Sequence, residues 1–405
     1  MILMVLPITL FFFGLFLGGP PSEMLAGLKK IMLSPTILVT DFLEVGGIGA
    51  AFMNVAVITF FNLFLLWRFK MRINGLLIAA VFTVAGFSFF GKNIFNILPI
   101  YFGGYLYSRY QKIPMRNTIL VVMFATALAP IVSEISFAGI LPAPYSLISG
   151  IAAGILVGFI ISPLSAQMLK FHDGFNLYNI GFAAGIVGTV LTSVLRSLNV
   201  TITNMNTLYL AHHHTITLML AMFFVYLMGV GLYINPAIPK SYRIILKYTG
   251  RSITDFTLLL GYGMTFFNMG LLGLAALAYI TAVGGVVNGP VLAGIFTVVG
   301  FGAFGKHPKN CYPIVLGVIL AALVIGYDLS STGIIITVLF STTIAPIAGT
   351  YGLGVGILAG ALHMAILTNV GSTHGGINLY NNGFSGGIVA GFLVPILDAF
   401  KKGED

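Results

Sequence analysis

An all-α polytopic membrane protein, made of two inverted-topology repeats with broken or re-entrant helices, is the fold this sequence predicts, on three observations. Of 405 residues 58% are apolar and only 7% charged, with a mean hydropathy of +1.04, whereas soluble domains carry about 25% charged residues. A 16-residue stretch occurs twice, as His172-Asp-Gly-Phe-Asn-Leu-Tyr-Asn-Ile-Gly-Phe-Ala-Ala-Gly-Ile-Val187 and His374-Gly-Gly-Ile-Asn-Leu-Tyr-Asn-Asn-Gly-Phe-Ser-Gly-Gly-Ile-Val389, identical at 11 positions. The basic loops of the two halves fall in places that are not equivalent. A β-barrel would alternate polar and apolar residues, and this chain does not.

Taken in order, the first half offers seven apolar segments, near 2–18, 45–67, 75–90, 93–109, 117–139, 146–169 and 174–195. The run 2–18 resembles a signal-peptide core but lacks a basic leader and a small-residue cleavage site before Pro20-Pro21, so it is expected as the first membrane helix. The second half offers 215–235, 254–283, 288–304, 311–326, 331–349, 352–370 and 376–398. Several segments, interrupted by Gly or Pro, fall short of the ~20 residues that span a bilayer, which points to broken or re-entrant helices. The repeats are placed at 1–195 and 214–405, with the polar stretch 196–213 as linker.

The duplication extends beyond the motif. A shift of 214 superimposes Thr40-Asp41-Phe42 on Thr254-Asp255-Phe256, Asn54 on Asn268, and Asn74-Gly75 on Asn288-Gly289. It also superimposes Phe82-Thr-Val-x-Gly-Phe87 on residues 296–301, Gly91-Lys92 on Gly305-Lys306 and Asn96 on Asn310. Ala129-Pro130-Ile131 matches Ala345-Pro346-Ile347 at a shift of 216. In the first half the basic loops follow the second and fourth segments (Arg68, Lys70, Arg72; Arg109, Lys112, Arg116). In the second half they follow the first segment (Lys240, Arg243, Lys247, Arg251) and the last (Lys401, Lys402). Cytoplasmic loops collect Lys and Arg, so equivalent loops lie on opposite sides, with both termini cytoplasmic in a bacterial inner membrane and Lys29 and Lys30 as the exception. The excess of positive charge is thereby a topology signal, not a nucleic-acid surface. Cys311 is alone, so no intrachain disulfide is expected.

Polar residues kept in both copies inside apolar chain mark a site. Read as a helix at 100° per residue, the motif puts His172, Asn176 and Asn179 within about 60° of one another with the glycines opposite, and Tyr178 of the same motif is taken with them as a pathway candidate. His374, Asn378, Tyr380 and Asn381 repeat the pattern. These groups either line a solute pathway or tie helices together by hydrogen bonds. Asn74 and Asn288 each open a short apolar segment, whose N-terminus either offers free N–H donors to a solute or is a plain turn. Lys92 and Lys306 would lie on opposite sides, so topology does not account for both. They either attract an anion, pair with Asp41 and Asp255, or snorkel at a helix end. Asp41, Asp255 and Glu134 are the candidates for coupling to protons or Na⁺, although Glu134 is answered by Thr350. His212-His213-His214 lacks a second ligand group, and no metal site is expected. No P-loop, HExxH, GxSxG or CxxC motif is present, so neither ATP-driven pumping nor a cofactor is indicated.

The HxGxNLYNxGFxxGIV signature in each half resembles a duplicated family of bacterial integral membrane proteins of unknown function. A second, weaker likeness is to urea transporters: Asn288-Gly-Pro-Val-Leu-Ala-Gly294 is similar to their element at the start of a membrane segment, and Gly174-Phe175-Asn176 to their Gly-aromatic-Asn element. The spacing between these elements is longer here, Gly375-Gly376-Ile377 departs from the second, and the first half lacks the Pro. That likeness implies a trimeric, channel-like fold for small amides.

Inverted repeats carry a solute site near the membrane midplane at their interface. The expected function is therefore a membrane transporter or channel for a small polar solute such as urea, in the lipid bilayer and compatible with a homo-oligomer. The alternatives are a proton- or Na⁺-coupled transporter of a small anion or carboxylate, and an intramembrane enzyme using His172 and Asp173 as an acid–base pair.

Overall fold

The structure, a computed structural model, describes residues 2–200, 202 and 206–400, so the basic Lys401 and Lys402 lie outside the described residues. The first half folds as α1 (Val5–Leu17), α2 (Pro21–Leu33), α3 (Phe42–Val45), α4 (Ile48–Arg68), α5 (Gly75–Phe87), α6 (Ile94–Tyr110), α7 (Ile119–Ala125), α8 (Ala129–Phe137), α9 (Tyr145–Phe171) and α10 (Asn179–Ser197). The second half repeats the order as α11 (His214–Ile234), α12 (Ile238–Ser241), α13 (Phe256–Leu259), α14 (Gly261–Ala282), α15 (Gly289–Phe301), α16 (Pro308–Ile325), α17 (Thr332–Ser341), α18 (Ala345–Tyr351), α19 (Leu353–Val370) and α20 (Asn381–Phe400). Among the described residues, ten helices are long and apolar enough to cross a membrane, counting α7–α8 and α17–α18 as one each. The protein is an all-α polytopic membrane protein.

The short helices α5 and α15 are its centre. Each has 13 residues, apolar on every face and buried almost throughout, Leu76 being the exception, as expected of a helix with no side toward solvent. Each begins on an asparagine cap: Asn74 accepts from the N–H of Leu77 at 2.9 Å and Asn288 from that of Val291 at 3.2 Å. Each ends in a turn through Gly91 or Gly305, both at φ +85°, where a side chain would be strained. The chain then starts α6 or α16 with reciprocal caps, Asn93 with Asn96 and His307 with Asn310. The apolar segments at 117–139 and 331–349 are each interrupted by a 3-10 turn, at Thr126–Leu128 and Thr342–Ile344. Pro130 and Pro346 cause the break, because a proline ring crowds the carbonyl four residues earlier, here that of Thr126 or Thr342.

The halves meet through equivalent residues. On α5, Gly86 packs against Ala293 and Phe296; on α15, Gly300 packs against Ala79 and Phe82. The helices α10 and α20 cross where a Cβ on Gly181 would come 3.2 Å from the Cα of Gly383, and Phe182 faces Phe384 at 6.0 Å. Such reciprocity defines a pseudo-twofold axis. At one end of the molecule Tyr262 donates to the carbonyl of Ile73 at 2.7 Å and Arg251 is ion-paired with Asp173. The equivalents of Ser252 and Ile253 there, Leu38 and Val39, line a cavity at the other end with Tyr327 and His374. Equivalent segments thus sit at opposite ends, as inverted repeats require.

Three expectations need correction. The segment 2–18 is only a 13-residue helix, and α2 follows it at a bend of 117°. α2 was hidden by Glu23, Lys29 and Lys30, which interrupt its apolar run; its inner face, Met24, Gly27 and Ile31, packs on α4 while both lysines are exposed. The segment 254–283 divides into α13 and α14 at Leu260.

Candidate functional site

The repeated motif is not helical over residues 172–178, which corrects the single polar face read from it. Asp173 and Gly174 adopt positive φ, as do Gly375 and Gly376, so the chain leaves α9 in a turn and re-enters a helix only at Asn179. His172 and Asn179 pin this turn, Nε2 to Oδ1 at 3.0 Å, and Asn179 donates to the carbonyl of Ser165 at 3.0 Å. His374 and Asn381 do the same at 2.8 Å. Asn176 reaches across the axis to donate to Gly383 O at 2.9 Å, and accepts from Tyr178 N at 3.2 Å and Thr343 Oγ1 at 2.5 Å. Asn378 mirrors it, donating to Gly181 O at 3.4 Å and accepting from Tyr380 N at 3.0 Å. The effect of these bonds is to aim the rings of Tyr178 and Tyr380 at the axis.

Each tyrosine meets the lysine of the opposite half. Lys92 Nζ donates to Tyr380 Oη at 2.6 Å and to Thr126 Oγ1 at 2.8 Å; Lys306 Nζ donates to Tyr178 Oη and to Thr342 Oγ1 at 2.7 Å. Lys92 Nζ lies 4.5 Å from the Tyr380 ring centre and 5.4 Å from that of Phe87. Lys306 Nζ lies 4.4 Å from Tyr178 and 5.3 Å from Phe301. Both lysines are 0% exposed, so they do not snorkel. Their turns are held by Asn54, which donates to Ser88 O and Lys92 O at 2.7 and 2.9 Å, and by Asn268 on Gly302 O and Lys306 O at 2.7 and 2.8 Å.

The lysines also do not pair with Asp41 and Asp255, as one reading had it. Those carboxylates serve the short helices: Asp255 Oδ2 accepts from Gly75 N at 2.9 Å and Asp41 Oδ2 from Gly289 N at 3.1 Å. Each carboxylate thus takes a first-turn N–H of the other half's short helix, where the dipole favours negative charge. The donors expected to be free for a solute at Asn74 and Asn288 are occupied to that extent.

Between these elements lies a cavity of about 140 Å³ on the axis, lined in pairs by Thr83 and Thr297, Phe87 and Phe301, Phe124 and Phe340, and Tyr178 and Tyr380. Asn179 also touches it. The hydroxyls of Thr83 and Thr297, two of these lining residues, are buried without a hydrogen-bond partner among the described residues, although a helical threonine ordinarily bonds the carbonyl a turn before it. The cavity runs to the end where Leu76, Leu169, Ser252 and the exposed Ile253 lie. From the opposite end comes the larger cavity containing Leu38, Val39 and His374, and the two share Phe340, Leu379 and Asn382 as a common wall.

Glu134 sits in α8 with 3% of its surface exposed and lines neither cavity. His172 and Asp173 do not form a pair: the imidazole binds Asn179 and the carboxylate Arg251. No group of three metal-ligating side chains occurs among the described residues. Thr83, Thr297, Thr126 and Thr342 were not singled out from sequence, though the signal was present. Each is a polar residue kept at the same place in both halves of an apolar segment.

A family model described as a protein of unknown function (DUF1576) matches residues 20–197 and 234–399, one stretch in each half. No curated protein and no solved structure matches the chain.

Proposed function

The chain belongs to the DUF1576 family of proteins of unknown function, and from that premise we propose that it carries a small polar solute across the membrane along the axis between its halves. The observation that supports this reading is the axial cavity, whose walls come in equivalent pairs and include two threonines whose buried hydroxyls have no partner among the described residues. An unsatisfied buried hydroxyl costs about 1–3 kcal/mol, so these two, in residues that line one cavity, would gain by turning toward a ligand that completes their bonding. Inverted repeats place such a site where either end can reach it. The wall of Phe340, Leu379 and Asn382 between the two cavities favours a carrier with alternating access over an open channel. In this reading Tyr178, Tyr380, Lys92 and Lys306 face the solute or stand directly behind its contacts. His172, Asn176, Asn179 and their partners His374, Asn378 and Asn381 position the tyrosines. Asp41 and Asp255 hold the short helices, and the end bearing Arg68, Lys70, Arg72 and Arg251 faces the cytoplasm of a bacterial inner membrane.

The test needs no knowledge of the solute. Cys311 is the sole cysteine and is buried, so Thr83→Cys and Thr297→Cys are made in a Cys311→Ala background and exposed to a membrane-impermeant thiol reagent in right-side-out and inside-out vesicles. Labelling of both positions from both sides is expected. Labelling from one side only, or from neither side of folded protein, overturns the pathway.

A further inference from the structure

We infer that the solute of this axial site is a small monovalent anion with an apolar body, of the short-chain carboxylate or sulfonate class; the inference rests on the pathway reading above. Lys92 and Lys306 carry it. Both ammonium groups are fully buried, and among the described residues the one ion pair is Arg251 with Asp173, away from them. Their partners are hydroxyls and ring faces, which accept a lysine proton but bring no negative charge. The nearest acids by duplication, Asp41 and Asp255, are engaged at helix N-termini. An ammonium buried in a low-dielectric interior without a counter-charge is strongly unfavourable and gives up its proton unless something anionic joins it. A neutral amide offers these amines nothing that would hold the proton, whereas an anion does.

The cavity wall matches the same ligand. Tyr178 and Tyr380 accept from the lysines, which polarises their hydroxyls toward donating their own protons. One from each half, they would supply a two-fold pair of donors for the equivalent oxygens of one anionic head, and Thr83 and Thr297, whose buried hydroxyls have no partner among the described residues, would add to it by turning toward the cavity they line. Phe87, Phe124, Phe301 and Phe340 add apolar walls, with Asn179, Asn382 and Ser252 as the further polar lining. A volume of about 140 Å³ holds a body of a few carbons, a cavity of similar size and lining being able to take benzene. Such walls disfavour a strongly hydrated or multivalent ion.

Purified full-length protein in liposomes decides the matter, using pairs of like shape and different charge: acetate against acetamide at alkaline pH, and methanesulfonate, whose acid is too strong to leak as a neutral molecule, against dimethyl sulfone. Protein-dependent entry of the anions, slowed by an inside-negative potential, is expected. A charged hydrogen bond contributes about 1.5–3 kcal/mol, so Lys92→Met and Lys306→Met should each reduce anion flux about tenfold or more. Lys92→Arg should restore part of the loss, and elution of the variants as monodisperse protein should be unchanged. Entry of the neutral members at the rate of the anions overturns the charge requirement and leaves the pathway standing. Entry of neither overturns this solute class, and the two-sided cysteine labelling then decides whether the pathway falls with it.

Discussion

Thr83 and Thr297 separate a functional from a structural hydroxyl by measurement. Both are buried, at 2% and 1% exposure, and neither hydroxyl has a partner among the described residues. Replacing either by the isosteric valine removes an unsatisfied polar group, so stability is expected to be unchanged or to rise by up to ~1 kcal/mol while solute flux falls. Thermal unfolding in detergent together with liposome flux checks this, and a lower melting temperature with unaltered flux would refute it. Asn176 is the opposite case. It meets Gly383 O, Tyr178 N and Thr343 Oγ1 at once, and Asn176→Ala removes a partner from Gly383 O and Thr343 Oγ1, while Tyr178 N keeps its bond to Thr343 Oγ1 at 3.1 Å. The expected cost is about 2–4 kcal/mol, from ~1–3 kcal/mol per uncompensated buried group less relaxation, read as a loss of folded protein on heating. The same side-chain chemistry in the same apolar setting is thus assigned to solute or to scaffold by whether a partner is present. Composition alone could not make that distinction.

At the scale of elements, the short helices α5 and α15 are each held from the opposite half. Asp255 meets the N-terminus of α5 and Asp41 that of α15. A carboxylate at a helix N-terminus contributes roughly 0.3–2 kcal/mol depending on burial, so Asp41→Asn and Asp255→Asn should each lower the melting temperature, and by similar amounts. Destabilisation by only one of the two would contradict the reciprocal arrangement. Gly181 and Gly383 form the other seam. A Cβ on Gly181 would come 3.0 Å from that of Tyr380, so Gly181→Leu is expected to push α10 from α20 and abolish transport. Survival of normal flux in that variant would show that the crossing does not shape the site. The asparagine caps, the glycine turns and the proline positions of these elements were all readable in the chain. The turn at 172–178 was misread as helix because Gly174, which permits it, was taken only as a packing residue.

For the molecule as a whole, inversion is the property on which the proposed pathway depends. Leu38 and Val39 lie at one end and their equivalents Ser252 and Ile253 at the other, while Arg68, Lys70, Arg72 and Arg251 mark the end expected to face the cytoplasm. Cysteines placed at Asp328 and at Lys112, in the Cys311→Ala background, should therefore be labelled from outside and from inside respectively. Labelling of both from the same side would exclude the inverted arrangement in the membrane.

Composition and the repeated motif alone determined that the chain is an all-α membrane protein with an internal duplication. Hydropathy, loop charge and residue identity are properties of the chain itself and need no contact to be read. The pairing of Lys92 with Tyr380 and of Lys306 with Tyr178, the capping of each short helix by the other half's aspartate, and the axial cavity with its unpartnered threonines were decided only by the tertiary structure. Each joins residues more than 100 positions apart through the pseudo-twofold axis. A periodicity within one segment carries no information about which residue the opposite repeat will bring against it.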